Sequence, residues 1–74
     1  MTQQIPPTVQ RGATGPDVER LQRELSQLGY DVPVNGEFDE ATETAVKKFQ
    51  QDQNLTVDGI VGAQTGQKLG APPA

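Results

Sequence analysis

The chain contains no cysteine and no histidine. The first absence excludes disulfide bridges and thiol chemistry. Together they exclude Cys/His metal sites and the familiar nucleophile–base pairs of hydrolases. A chain of 74 residues is near the size at which a single core becomes marginal, so packing alone must hold it. Aromatic residues are scarce, with one Tyr and two Phe. No apolar run approaches the roughly 20 residues of a membrane-spanning helix. Cations are outnumbered, six against ten carboxylates, for a net charge of −4. Arg11, Arg20, Arg23, Lys47, Lys48 and Lys68 are also scattered. Nucleic acid and an anionic membrane surface are therefore disfavoured as partners, since both need a basic stripe. The opening residues Met1 to Pro7 lack the basic and apolar regions of an export signal. That leaves the cytoplasm open, beside an extracytoplasmic destination for a chain separated from its signal.

What is present is a phrase spoken twice. Asn35-Gly36-Glu37-Phe38 with Thr42 and Val46 is echoed, 23 residues later, by Asp58-Gly59-Ile60-Val61 with Thr65 and Leu69. The Asx-Gly pair makes a tight turn, because the Asx side chain bonds the backbone ahead of it and Gly accepts positive φ. Thr followed four residues on by an apolar group reads as the first turn of a helix. The phrase is a device for entering a helix.

Only 32% of residues are hydrophobic, yet they recur in helical register, which separates this chain from a disordered one. A turn at Gly12-Ala13-Thr14-Gly15 precedes Pro16, which suits the first helical position, with Asp17 and Glu19 in the acid-favouring first turn. Val18, Leu21, Leu25 and Leu28 then form one stripe and Gly29 stops the helix. Glu19–Arg23 and Arg20–Glu24 are spaced as (i, i+4) ion pairs. Pro33 makes the next stretch an extended loop that buries Val32 and Val34. A second helix opens at the cap Asp39, carries Ala41, Ala45, Val46 and Phe49 on one face, and ends around Gln53-Asn54. Leu55 and Val57 anchor the connection to a short third helix over Ala63 to Leu69, weakened by Gly66. The expectation is an all-α fold, a compact three-helix bundle with an internal turn-into-helix repeat. Residues 1–9 form an extended lead-in, 10–70 the domain and 71–74 a linker-like tail; Val9 is placed to touch the core.

These residues raise two chemistries. Glu37, Asp39, Glu40 and Glu43 cluster, and two carboxylates suffice for glycoside hydrolysis. Asp39 is better used as a cap, however, and the domain is too small to wall off a deep cleft. Asp31 to Gly36 resembles the start of an EF-hand loop, but Pro33 falls at its third position and Thr42 at its twelfth, where ligands are required. The chain is therefore read as non-catalytic, with no metal and no cofactor.

The run from Arg11 to Tyr30, then Asn35-Gly36-Glu37-Phe38, Thr42, Ala45 to Gln50, Leu55, Asp58 to Gly62 and Thr65 to Leu69, resembles the peptidoglycan-binding-domain-like family of small three-helix modules. It covers about sixty residues in the family's order. The resemblance implies a non-catalytic module that binds bacterial cell-wall peptidoglycan, as a monomer, and targets an attached or partner cell-wall hydrolase outside the cytoplasm. The sequence departs from the family pattern at Asp39, commonly Gly, and at Gly66, often aromatic, and it carries no enzyme domain. The residues placed to meet a ligand are Tyr30, Asn35, Glu37, Phe38, Gln50 and Asp58. Each also has a folding role open to it: Asn35 and Asp58 closing their turns, Phe38 in the core, and Gln22 and Gln50 bonding loop backbone. A protein-interaction or pro-segment module of the same fold is the alternative.

Overall fold

The computed structural model describes residues 8–70. The extended lead-in expected over Met1 to Pro7 and the linker-like tail expected from Ala71 lie outside them. Three helices follow in order: α1 (Pro16–Gln27), α2 (Glu40–Asp52) and α3 (Ala63–Gly70). Helix α1 packs against both others. Among the described residues there is no strand. Two isolated antiparallel bridges, Val9 with Val61 and Thr14 with Glu37, tie the segment before α1 to the two turns.

Pro16 opens α1 as expected, one residue after Gly15, whose φ of 115° suits glycine alone. Val18, Leu21 and Leu25 are buried, but Leu28 is 55% exposed. The helical stripe ends early because Leu28 is already the C-cap and Gly29 reverses the chain at φ 101°. The N–H of Tyr30 bonds back to the Leu25 carbonyl at 3.0 Å and that of Gly29 to Ser26 at 3.0 Å, the paired bonds of a Schellman motif. Tyr30 and Val32 continue the core in place of Leu28. Helix α2 ends in the same way with Asn54, at φ 59°, in the glycine role: Leu55 N–H bonds Gln50 at 2.8 Å and Asn54 N–H bonds Gln51 at 3.2 Å.

Asp39 caps α2 as read, its carboxylate accepting the Thr42 N–H at 3.3 Å. The buried face is Thr42, Ala45, Val46, Phe49 and Gln50. Ala41 is exposed, since it lies one residue, about 100° of helical rotation, off that stripe. Val34 and Val57 are also exposed, at 41% and 50%. A regular extended segment would put Val32 and Val34 on one face, but the loop over Pro33 is irregular and bends at Asn35-Gly36, so Val32 is buried and Val34 is not. Arg23 approaches Glu19 at 3.9 Å; no ion pair joins Arg20 to Glu24 among the described residues. The core is Val18, Leu21, Leu25, Val32, Phe38, Ala45, Val46 and Phe49, with Val9, Ala13, Tyr30, Leu55, Val61 and Leu69 packed around it.

Candidate functional site

Two glutamines organise the surface features. Gln22 and Gln50 are 0% and 1% exposed, one inside each helix that precedes a repeated phrase. The Gln22 Oε1 accepts the N–H groups of Asn35 and Gly36 at 2.9 and 2.8 Å. Its Nε2 donates to Asn35 Oδ1 at 3.1 Å, the Glu37 carbonyl at 2.8 Å and Thr42 Oγ1 at 2.9 Å. The Gln50 Oε1 accepts from Asp58 and Gly59 at 3.1 and 2.9 Å. Its Nε2 reaches Asp58 Oδ1 at 2.9 Å, the Ile60 carbonyl at 3.0 Å and Thr65 Oγ1 at 3.1 Å. Each of these five bonds of Gln22 has its counterpart at Gln50. Every buried side-chain polar atom described has a partner, so these amides are buried without a stranded group. The repeat is thus a Gln, an Asx-Gly turn and a Thr, of which the sequence shows the last two side by side. Gln22 lies 13 residues before its turn and Gln50 only 8 before its own. That unequal spacing hides the glutamines from a search at one fixed period.

The residues expected to meet a ligand fall into four places. Asn35 and Glu37 share the first knot, where Asn35 Oδ1 also accepts the Glu37 N–H at 3.0 Å and the Glu37 side chain stays exposed. Phe38 is 2% exposed and belongs to the core. Gln50 and Asp58 share the second knot. Tyr30 stands apart from both, its ring edge-on to Phe49 with centroids 5.9 Å apart and its hydroxyl donating to Asp52 Oδ2 at 2.6 Å. That bond to a carboxylate, with some desolvation and the Asp52 charge behind it, pushes the Tyr30 hydroxyl above its ordinary 10.0. Asp58 is shifted the other way. The Ile60 N–H bonded to Oδ1, and next the Gln50 amide, hold its carboxyl below the usual carboxylate value.

An open groove of about 360 Å³ lies against the second knot. Gln50, Asp58 and Thr65 contribute to its lining, with Thr8, Thr56, Ile60 and Gln64 around them. The sequence reading singled out none of those last four. Thr8 arrives there because the Val9–Val61 bridge, with bonds of 3.1 and 2.8 Å, lays the lead-in beside the second turn, a long-range contact that no local pattern announces. The lining offers hydroxyls, two amides, one carboxylate and a small apolar patch. It offers no Lys or Arg and no aromatic ring. Such a surface suits recognition of a polar ligand by hydrogen bonds and charge.

A small three-helix scaffold whose buried amides fix two surface turns, one beside an open polar groove, defines a binding module. Residues 14–69 match the family "Putative peptidoglycan binding domain", and the chain belongs to that family. It is 45% identical over 62 residues to a spore cortex-lytic enzyme of Bacillus cereus, a match covering 82% of this chain and 24% of that enzyme. The chain thus spans about a quarter of that relative's length. Among solved structures it resembles the SleB N-terminal domain, with TM-score 0.82 and 44% identity over 85% of this chain and 88% of that one. A peptidoglycan-binding protein from Clostridioides difficile gives TM-score 0.85 and 38% identity over 86% of this chain and 40% of that one.

Proposed function

We propose that the chain is a non-catalytic module that binds bacterial peptidoglycan and holds an attached or partner cell-wall hydrolase against its substrate. The observation that carries this reading is the family match over residues 14–69, joined to a relative that is a cortex-lytic enzyme of which the matched segment forms only 24%. A segment of that share, without His or Cys, fits the part of a hydrolase that docks rather than the part that cuts. The reading puts the working location outside the cytoplasm and the working form as a monomer. Of the candidate residues, Asp58 and Gln50 have the strongest claim because they line the groove. Asn35 and Phe38 act by holding the first turn in shape, and Tyr30 and Glu37 lie outside the groove lining.

Sedimentation with purified sacculi tests the proposal. The folded chain is expected to co-sediment in a saturable way, while an unrelated protein of similar negative charge stays in solution. Retention no greater than that control overturns the reading. Release of reducing ends or free amines from the same sacculi would overturn its non-catalytic part.

A further inference from the structure

The two knots make the same demand on the residue that faces each glutamine. One side-chain oxygen must accept the Gln Nε2–H and the backbone N–H two residues on. Asn35 meets it with a neutral amide oxygen, at 3.1 and 3.0 Å. Asp58 meets it with Oδ1 of a carboxylate, at 2.9 and 2.9 Å. The turn therefore needs the oxygen and not the charge, and the charge at position 58 is surplus to folding. Its other oxygen, Oδ2, receives no hydrogen bond from the described residues. The ion pairs among them, Arg11–Glu43 and Arg23–Glu19, leave Asp58 out. The groove lies on this copy, and nothing cationic lines it.

An ionised oxygen in a cation-free groove selects by charge. Peptidoglycan is rich in carboxylates, and these are repelled by Asp58 and by a chain of net charge −4. Its cation is a primary ammonium, the side-chain amine of a stem-peptide diamino acid that has not been cross-linked. The lining has no aromatic ring for a sugar face to stack on, whereas Ile60 offers an aliphatic contact. Resting on the peptidoglycan reading above, we propose that this groove takes the free ammonium of a stem peptide, with Asp58 Oδ2 as its counter-ion. Thr8 and Thr56 supply neutral acceptors beside it, and the methylene stem lies on Ile60. Cross-linking converts that amine to an amide and removes the charge, so the module favours uncross-linked wall.

The experiment compares sacculi whose amines are free with the same sacculi after acetylation, using the wild-type chain and Asp58→Asn. Asn35 already does the structural work of this position in the first knot, so the substitution keeps the turn. Wild-type affinity is expected to fall about two- to fivefold on acetylation, the scale of one exposed ion pair. Asp58→Asn should bind untreated sacculi as weakly as the wild type binds acetylated ones, and acetylation should leave it unchanged. Equal wild-type binding to both preparations overturns the ammonium assignment and leaves the peptidoglycan reading standing. Asp58→Asn losing as much as wild type on acetylation also overturns it, because bulk wall charge then explains the loss. Retention on neither preparation overturns both. Gln64→Lys, which places a cation in the groove, gives an independent arm and should weaken binding to untreated sacculi only.

Discussion

Gln22 and Gln50 are neutral polar side chains buried in a core that has few large residues, and each accepts two backbone N–H groups of its turn that have no other partner among the described residues. A single hydrogen bond adds little net stability, but removing a buried partner strands the groups it served. Gln22→Ala and Gln50→Ala are each expected to lower unfolding free energy by about 2–4 kcal/mol in urea titrations. The exposed Gln27 is the control, and its replacement by Ala should change little. Tyr30 yields a second expectation at this scale. Its hydroxyl is raised by the bond to Asp52, so the folded state holds the phenolic proton more firmly than the unfolded one. The associated stability is complete below the unfolded value of about 10 and is lost as pH rises through the folded value. As the chain has one Tyr and no Trp, phenolate absorbance reports the group directly. Its midpoint should lie above that of free tyrosine, and Asp52→Asn should bring it down.

At the scale of elements, the helices were legible wherever local chemistry governed them. Pro16, Asp39 and Gly29 marked two starts and a stop through fixed φ, a cap oxygen and positive φ, effects that reach only a few residues. Leu28, Ala41, Val34 and Val57 were misread for one shared reason: apolar character shows that a residue can be buried, not that its rotation faces the core. Asn54 in the αL position has no strong local signal, since Asn suits caps, turns and coil alike. The knots were half legible, because the Asx-Gly-Thr part is local and the glutamines are not. Helix α3 remains the weakest element. It begins after Gly62, which has no side chain to cap it where α2 has Asp39, and it contains Gly66. An added Cβ would meet nothing within 4 Å at either position. Gly66→Ala is expected to raise stability by about 0.5–1 kcal/mol through chain entropy and helix propensity. Gly62→Asp, which copies the cap of α2, should add only a few tenths. Gly29→Ala should cost about 1 kcal/mol, because φ 101° there strains any other residue. Thermal melts of the three variants check the order.

For the molecule as a whole, the groove lies on the second phrase because it is made by distant segments meeting, Thr8 across the Val9–Val61 bridge and Gln50 from α2. An acidic, shallow, uncapped groove of this kind binds weakly. On the ammonium proposal, one ion pair and a few exposed hydrogen bonds correspond to a dissociation constant on the order of 0.1–1 mM. A polymeric wall changes the consequence, since a second copy on a short flexible linker meets an effective concentration of about 1 mM. The gain in affinity from joining two copies is roughly that concentration divided by the single-site constant, so about one- to tenfold. A tandem of two chains is therefore expected to bind sacculi up to about tenfold more tightly than one chain at equal site concentration. Placing Asp58→Asn in one copy should cut that gain by the about two- to fivefold that the substitution costs a single site. Co-sedimentation isotherms of the three proteins separate the cases. A tandem that gains affinity while its mutant form equals the parent would remove Asp58 from the binding surface.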